Sequence, residues 1–375
     1  MKKQTVLLFN SIYPQITGGM EVYNYHLSQH LLTDEYPDII MLTSVSSLVD
    51  NERVFRINDR LFGMRRFGLG MLSVFISCIL SPHIHIRKWK CVMIPHTSNF
   101  EYMAWPVLLF SRLYGFKYVI HCHGGGARLS KTRLQKRLFN RASHIGAVSQ
   151  KIIDEYHNNT GCTIEYLPPL MDFEKSSLTK EEIKRKFGLN YDRIILFVGS
   201  LKPLKSPETL LKAFTSLPAD WLKAENIGLV LAGGGALLGS LKSNYSDNER
   251  ICLLGQVKNE MVKELYSVAD LFVISSWFEG TPLALMEAMY NGICCIGTKV
   301  QGIDTILKDG FNGFLFPKDD YKSLCELIKR CFNDESLMRS IGQSADDYYH
   351  SKFSYDTHLK QVLDLLEYYT DKKSI

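Results

Sequence analysis

The stretch Ser275-Ser-Trp-Phe-Glu-Gly-Thr-Pro-Leu-Ala-Leu-Met-Glu287 carries the strongest signal in this chain. It starts where the apolar run Asp270–Ser275 ends and leads through a Gly-Thr-Pro turn into the apolar helical pattern Leu283–Tyr290. Strand, turn and helix in this order are typical of an α/β protein, with the turn at the carboxyl end of a parallel strand. A helix start offers N–H groups and the positive end of the helix dipole, so the turn is predicted to bind an anion.

Two carboxylates flank this turn. Glu279 lies before the helix and Glu287 a little over one turn inside it, so both can face one ligand whose phosphates rest on the turn. The alternative is that both are surface or helix-capping charges, because such a spacing is common by chance. The combination with the strand, the turn and the apolar helix favours a binding site for a nucleotide-sugar that needs no metal.

Composition indicates a globular protein large enough for two domains. The chain has 375 residues, of which 46% are apolar and 22% charged, and its net charge of +5 does not suggest a nucleic-acid-binding protein. Nine cysteines without a C-x-x-C pair predict reduced, mostly buried thiols in a cytosolic protein. The apolar run Phe67–Leu80 is too short to span a bilayer and is predicted to be a buried helix.

Short apolar runs alternate with helical patterns in both halves, which predicts two parallel sheets. The proline-rich stretch Pro168–Lys180 separates the halves and marks a domain junction. We expect two Rossmann-like domains that face each other across a cleft, residues 1–169 and residues 170–355, with the helix of residues 356–375 returning to the first. The predicted strands are Thr5–Phe9, Pro37–Leu42, Cys91–Ile94, Tyr118–His121, His144–Val148, Ile164–Leu167, Ile194–Val198, Ile227–Ala232, Ile251–Leu254, Leu271–Ile274 and Cys294–Gly297.

The motif around Glu279 and Glu287 resembles that of the retaining glycosyltransferases of family 4, which have the GT-B fold. The resemblance continues through Asn291–Thr298 and Asp309–Leu315, and more weakly over most of the chain. It implies that Glu279 lies near the donor sugar and that Glu287 binds the ribose. It also implies that a backbone segment lines the sugar and the diphosphate, namely Gly280, Thr281, Pro282 and Leu283.

Two glycines and a histidine in the first half also match the family. Gly18 and Gly19 follow the first strand, where the family places a Gly-Gly pair near the donor phosphate and the acceptor; a simple turn is the alternative. His123, in His121-Cys-His-Gly-Gly-Gly126, matches a histidine that lies near the donor sugar. No third metal ligand is apparent beside this His-x-His pair, and His121 is predicted to be a core residue.

The loop Phe197–Ser206 resembles the family's phosphate-contacting loop, with one departure. Lys205 occupies the position of a lysine that neutralises the diphosphate leaving group, the alternative being a solvated side chain. Ser200 stands where relatives carry an arginine, and Lys202 can supply a charge but not a bidentate guanidinium. Gln256 and Val257 match a turn that contacts the nucleotide base through its backbone.

Other segments add weaker indications. Ala232–Gly235 does not complete a G-x-G-x-x-G sequence, so it is predicted to be a strand-to-helix turn and not an NAD site. Asp304 and Thr305 replace a Pro-Glu pair of the relatives and receive no role. Arg128–Arg141 has six basic residues and no acidic one, with a partial apolar face at Leu134, Leu138 and Phe139. It could contact anionic lipid headgroups, or it could be a solvated helix face.

The expected activity is therefore that of a retaining glycosyltransferase. It would transfer a sugar from a UDP- or GDP-sugar to a hydroxyl of a glycan or lipid-linked acceptor, in cell-surface polysaccharide synthesis, without a cofactor or metal. It would act in the cytoplasm, with peripheral contact at the inner face of the membrane. The alternatives are a non-hydrolysing sugar-nucleotide epimerase and a non-catalytic GT-B protein that binds glycan, the latter because Ser200 replaces the arginine.

Overall fold

The computed structural model describes residues 4–8, 27–44, 51–57, 72, 75–76, 78–79, 85–96, 101–122, 133–167 and 173–371. The chain divides into two compact units. The first combines Met1–Asp172 with Phe353–Ile375, and the second is Phe173–Lys352.

The first unit contains a seven-stranded parallel sheet in the order β3-β2-β1-β4-β5-β6-β7. Its inner strands are almost wholly apolar, as expected for strands covered on both faces. Their bounds are β1 (Gln4–Leu8), β2 (Ile39–Ser44), β3 (Val54–Ile57), β4 (Trp89–His96), β5 (Lys117–Cys122), β6 (His144–Ala147) and β7 (Glu165–Tyr166).

The second unit contains a six-stranded parallel sheet in the order β10-β9-β8-β11-β12-β13. Its strands are β8 (Arg193–Val198), β9 (Ile227–Ala232), β10 (Ile251–Gly255), β11 (Leu271–Ile274), β12 (Cys294–Thr298) and β13 (Phe314–Phe316).

Helices connect the strands of both sheets, as βαβ crossovers require. In the first unit they are α1 (Glu101–Tyr114), α2 (Arg133–Arg141), α3 (Gln150–Thr160) and the C-terminal α12 (Tyr355–Asp371). In the second unit they are α4 (Lys180–Phe187), α5 (Pro207–Thr215), α6 (Ala219–Ala224), α7 (Leu238–Tyr245), α8 (Asn259–Val268), α9 (Leu283–Tyr290), α10 (Tyr321–Asn333) and α11 (Glu335–Phe353).

The parallel α/β architecture predicted from the sequence is confirmed, and all eleven predicted strands are present within two residues of their expected bounds. Helix α4 has well-defined ends because Thr179 and Glu182 form a capping box at its start and Gly188 ends it in a left-handed conformation. The sequence analysis missed β3 and β13, which are short strands at the sheet edges.

The C-terminal helix α12 belongs to the first unit, so its predicted return is confirmed. Val362 of α12 is buried in a cluster with Leu27, Leu31 and Met93 on one side of the first sheet. The other side is covered by a larger cluster that includes Phe75, Phe110 and Phe139, drawn from successive helices.

Two sequence predictions in the first unit need correction. The helical residues within Phe67–Leu80 are not wholly buried: Phe75 and Cys78 are, but Ile76 and Ile79 are each 42% exposed. In α2, Leu138 and Phe139 are core side chains and cannot form an apolar surface; of the three predicted, Leu134 is exposed. The sheet accounts for both results, because a helix that covers a sheet turns its largest apolar side chains inward.

The thiols are mostly buried, as predicted: seven of the nine cysteines are buried and Cys162 and Cys252 are partly so. Among the residues that the structure describes, no helix is both long enough and apolar enough to cross a membrane.

A buried histidine pair joins α12 to the first sheet. His121 at the end of β5 and His358 in α12 are both fully buried, and their rings stack with centroids 6.2 Å apart. Burial lowers the pKa of His121 from 6.5 to about 4 and that of His358 to about 3. Both rings are therefore neutral at pH 7, and the charged form of either destabilises the contact between helix and sheet.

We expect acid to weaken this contact. Because the folded-state pKa values lie below 6.5, the unfolded chain binds more protons, and stability is lost as the pH falls below 6.5. Each histidine contributes about 1.4 kcal/mol per pH unit until its folded pKa is reached. Hydrogen exchange of β5 and α12 at several pH values measures the slope. His358→Gln should reduce it, whereas exposed His85→Gln should not; equal slopes in all three proteins would contradict the assignment.

Candidate functional site

The candidate site of the second unit lies where the strand order of its sheet reverses. The chain runs outward from β8 to β9 and β10 on one side and then returns to β11, β12 and β13 on the other. Parallel α/β sheets bind ligands outside the carboxyl ends of their strands at such a point. The loops that follow β8 and β11 meet there, and they contain Lys205 and Glu279.

Lys205 and Glu279 form a bidentate ion pair. The Nζ atom of Lys205 lies 2.7 Å from both carboxylate oxygens of Glu279. Glu279 is 6% exposed, whereas the lysine side chain is 27% exposed and so remains accessible to a ligand. The hydroxyl of Ser276 donates to Oε1 of Glu279 at 2.6 Å, which further satisfies the buried carboxylate.

The two loops that hold this pair are fastened to each other. The hydroxyl of Ser275 donates to the backbone oxygen of Ser206 at 2.8 Å, and the backbone N–H of Trp277 donates to that of Leu204 at 2.9 Å. Nε1 of Trp277 also donates to Asp319 at 2.6 Å. These bonds fix the backbone on both sides of the ion pair, so the two charged groups are held together by their loops as well as by their attraction.

Two glycines allow neighbouring loops to approach closely. A Cβ atom at Gly302 would lie 2.3 Å from the backbone oxygen of Glu279, and one at Gly233 would lie 1.8 Å from that of Gly199. Both distances are far shorter than any real contact, so only glycine fits. Gly233 lies in the glycine-rich turn after β9, which packs against the loop Gly199–Lys205. This turn connects a strand to a helix, as the sequence predicted.

Glu287 has different surroundings, in the second turn of α9. Burial raises its pKa from 4.5 to about 7, while a hydrogen bond from Tyr266 acts in the opposite direction. The Tyr266 side chain is fully buried in α8, and its hydroxyl also lies 3.0 Å from the backbone oxygen of Ala284, one turn before Glu287. Tyr266 thus connects the carboxylate to the helix that carries it.

The start of α9 fits an anion. Pro282 precedes the first helical residue, Leu283, and the first turn contains no acidic side chain. Gly280, Thr281 and Leu283 are partly exposed, so the backbone there can be reached by a ligand. The positive end of the helix dipole lies at this turn.

The predicted donor-binding residues of the second unit follow the carboxyl ends of its strands, but not all of these strands are adjacent. The strands that precede Ser200 and Glu279, β8 and β11, are neighbours in the sheet, whereas β9 separates them from β10, which precedes Gln256; all three residues follow the carboxyl ends of their strands. Gln256 is exposed, and Ser200 and Val257 are partly exposed. Gly18, Gly19 and His123 lie outside the described residues, so their predicted roles stay predictions.

The sequence analysis did not identify the groups that support the site, among them Ser275, Ser276, Tyr266 and Gly302. A weak signal existed for Ser276, which lies three residues before Glu279 in the same motif. No sequence signal connects Tyr266 with Glu287, since their contact depends on how α8 packs beside α9. In the described part of the chain, no group of three or more His, Cys, Asp or Glu side chains could hold a metal ion.

Two family models match the chain. The model of glycosyl transferases group 1 matches residues 179–348, and that of Glycosyltransferase Family 4 matches residues 17–175. Together they cover both units and most of the chain.

Individual proteins agree with the family match. An uncharacterized glycosyltransferase of Methanocaldococcus jannaschii is 24% identical in an alignment of 399 residues, gaps included, that covers 98% of this chain and 99% of that protein. The Escherichia coli UDP-Gal:alpha-D-GlcNAc-diphosphoundecaprenol alpha-1,3-galactosyltransferase is 31% identical over 182 residues, but the match spans 46% of each chain.

A solved structure shows the same fold. Anabaena HepE in complex with UDP has a TM-score of 0.72 and 16% identity, and the match covers 97% of this chain and all of HepE. HepE has also been solved with UDP-glucose. This likeness confirms the GT-B fold that the sequence predicts.

The ion pair can be tested by a double-mutant cycle. Lys205→Met leaves the buried Glu279 carboxylate without its cation, and we expect it to lower the free energy of unfolding by about 2 kcal/mol. Adding Glu279→Gln removes the uncompensated charge and should recover most of this loss. Denaturant unfolding of the four proteins gives the coupling energy. Additive effects of the two substitutions would show that the pair contributes nothing.

The raised pKa of Glu287 predicts a pH-dependent cost. Its folded pKa of about 7 lies above the ordinary 4.5, so its contribution to stability is fully present below pH 4.5 and is lost as the pH rises through 7. Glu287→Gln does not titrate at this position, so its stability relative to the wild type should increase from pH 5 to pH 8. The gain is about 1.4 kcal/mol for each pH unit between the starting pH and the folded pKa of the wild-type carboxyl. Thermal unfolding at both values measures this gain. A difference that is independent of pH would exclude a raised pKa.

Proposed function

We propose, because this chain belongs to glycosyltransferase family 4 and has the GT-B fold, that it is a retaining glycosyltransferase. In this proposal it moves a sugar from a UDP- or GDP-sugar to a hydroxyl of a glycan or lipid-linked acceptor. The observation that carries the proposal is the pair of Lys205 and Glu279 at the reversal of strand order, beside the start of α9.

The diphosphate of the donor rests on the start of α9 in this proposal. Backbone N–H groups and the helix dipole attract it, and the segment Gly280–Leu283 lines the phosphates and the sugar. An ammonium group has three donor hydrogens, so Lys205 can hold Glu279 and still donate to a phosphate oxygen. It then stabilises the negative charge that develops on the leaving diphosphate as the glycosidic bond breaks.

The two carboxylates take separate roles. Glu279, held by Lys205 and Ser276, lies near the donor sugar, where a negative charge stabilises an oxocarbenium-like sugar. Glu287 accepts hydrogen bonds from the ribose hydroxyls. Attack by the acceptor on the same face retains the anomeric configuration, and the leaving phosphate helps to remove the proton of the acceptor hydroxyl. Catalysis is mainly positioning and electrostatics, without a metal or other cofactor.

The remaining predicted residues complete the proposed site. The family resemblance assigns Gly18 and Gly19 to the donor phosphate, His123 to the donor sugar, and the backbone of Gln256 and Val257 to the base. Ser200 adds no charge, so the diphosphate is held by the backbone N–H groups at the start of α9 together with Lys205. The E. coli relative supports the proposed acceptor class, because it is named for a diphosphoundecaprenol-linked substrate. With such an acceptor, the protein acts in the cytoplasm, at the inner face of the membrane, in cell-surface polysaccharide synthesis.

Thermal shift with a set of nucleotide-sugars identifies the donor. We expect one UDP- or GDP-sugar to raise the melting temperature, since a ligand that binds the folded state stabilises it. NMR of the products should then show transfer with the anomeric configuration retained and no need for a divalent cation when EDTA is present. An inverted product would overturn the retaining mechanism, and a C2-epimerised nucleotide-sugar formed without acceptor would overturn the transferase assignment.

Substitutions at the site separate binding from turnover. Glu287→Gln should weaken donor binding and remove its dependence on pH, because the wild-type carboxylate must lose its proton, with a pKa of about 7, to accept both ribose hydroxyls. Lys205→Ala should lower kcat roughly a hundredfold and affect donor affinity less, since its interaction strengthens in the transition state. Exposed Lys212→Ala is the matched control. Unchanged donor affinity in Glu287→Gln together with unchanged kcat in Lys205→Ala would reject the site.

A further inference from the structure

One face of the first sheet is covered by a continuous layer of helices. The connections from β3 to β4, β4 to β5 and β5 to β6 all step in the same direction along the sheet. Because crossovers between parallel strands are right-handed, their helices lie on the same face. The helical residues 72, 75, 76, 78 and 79 therefore precede α1 and α2 in one layer. Phe75 stacks on Phe110 of α1 with ring centroids 4.6 Å apart, and α1 packs against α2.

The outer side of this layer exposes large apolar side chains. Leu109 and Leu113 are one turn apart on α1 and are 43% and 65% exposed. Ile76 and Ile79 are each 42% exposed, and Leu134 of α2 is 38% exposed. The buried side chains of the same three helices fill the core below. These five exposed residues account for half of the ten large apolar side chains found exposed in the described structure.

The same surface is basic. Arg133, Lys136, Arg137 and Arg141 are exposed on α2 at spacings of three, four and eight residues, which place them along one side of the helix. Arg112 is exposed on α1 between the two leucines in sequence. Apart from Glu101, whose side chain is outside the description, the three helical segments contain no acidic residue. Acidic side chains return in the next helix, α3, with Asp154 and Glu155.

We propose that this surface, made of Ile76, Ile79, Leu109, Leu113 and Leu134 with the arginines and lysine of α1 and α2, docks on an anionic lipid membrane. Exposed apolar side chains beside rows of exposed basic ones match an interface in which acyl chains lie below negatively charged headgroups. The basic charge favours this occupant over a second copy of the chain, because two such surfaces would repel each other.

The proposed surface includes α2, which lies in the basic segment Arg128–Arg141 that the sequence indicated, but most of the surface's apolar side chains come from other helices. The apolar contribution comes from α1 and from the helix before it, since Leu138 and Phe139 of α2 are in the core. The docking proposal rests on the proposed function in one respect: a lipid-linked acceptor would be located at the membrane. Membrane docking and sugar transfer are nevertheless separate measurements, so either can fail without the other.

Vesicle co-sedimentation of the full chain tests the proposal. We expect binding to vesicles of phosphatidylglycerol and phosphatidylcholine, weaker binding at high salt, and little binding to phosphatidylcholine alone. Two variants address the two parts of the surface: Arg133→Gln/Lys136→Gln/Arg137→Gln and Leu109→Gln/Leu113→Gln. The charge variant should reduce binding to the anionic vesicles roughly a hundredfold, given about fivefold for each of three basic residues near the surface. The leucine variant should reduce it roughly tenfold, because two apolar side chains no longer enter the lipid.

Matched variants on the second unit serve as controls. The control for the charge variant replaces three exposed lysines: Lys212→Gln/Lys223→Gln/Lys242→Gln. The control for the leucine variant replaces an exposed leucine of the second unit, Leu178→Gln. All of them should bind vesicles as the wild type does and keep its melting temperature. Transfer to a short water-soluble acceptor should be unaffected in every variant, which separates docking from catalysis.

Several outcomes would overturn the proposal. These are wild-type binding by both surface variants, equal loss in the controls, binding to neutral vesicles alone, or no vesicle binding at all. Light scattering without lipid adds another: a dimer that Leu109→Gln/Leu113→Gln converts to a monomer would identify the surface as an interface between two copies.

Discussion

The contact between Lys205 and Glu279 constrains the rest of the second unit. A buried carboxylate is stable only when charge and hydrogen bonds compensate for its loss of water, and here a bidentate ammonium and the Ser276 hydroxyl do so. The partners come from loops that follow different strands, so the pair forms only if β8 and β11 are neighbours. Gly302 has to remain a glycine because the backbone of Glu279 occupies the space of its side chain. One electrostatic contact thus depends on sheet order, loop geometry and close packing together.

The two glutamates of the motif differ because their neighbours differ. Glu279 has a cationic partner, whereas Glu287 has the neutral phenol of Tyr266 and a raised pKa of about 7. A carboxylate that is easily protonated has lost part of its hydration before any ligand arrives. In the proposed complex, ribose hydroxyls would replace the hydration that Glu287 has lost, and Glu279 would face the donor sugar. The spacing of the motif would let both groups contact one ligand in the proposed complex, and the surrounding helices and loops give each glutamate different neighbours.

The sequence predicted the repeating elements well and the long-range contacts poorly. Strands such as Ile227–Ala232 and Leu271–Ile274 are uniform apolar runs bounded by turns, and their limits follow directly from that pattern. The missed strands β3 and β13 have three or four residues at sheet edges, where the apolar pattern is too short to recognise. Lys205 and Glu279 were both selected, but as separate contacts to a ligand. Their pairing across 74 residues follows from strand order, which local patterns do not contain. Leu138 and Phe139 were assigned to a surface because amphipathicity alone does not say which face of a helix meets the sheet.

The replacement of an arginine by Ser200 has a consequence for how the proposed site can hold a diphosphate. Lys205 is already neutralised by Glu279, and Ser200 supplies no charge, so side chains near the start of α9 contribute little net positive charge. Most of the attraction must then come from backbone N–H groups and the helix dipole, whose strength depends on exact placement of the loop. The hydrogen bonds from Ser275 and Trp277 to the loop Leu204–Ser206 provide that placement. In the proposed complex, rigid loops would take over part of the role that the family resemblance assigns to an arginine at position 200, and diphosphate binding would depend more on the supporting backbone contacts.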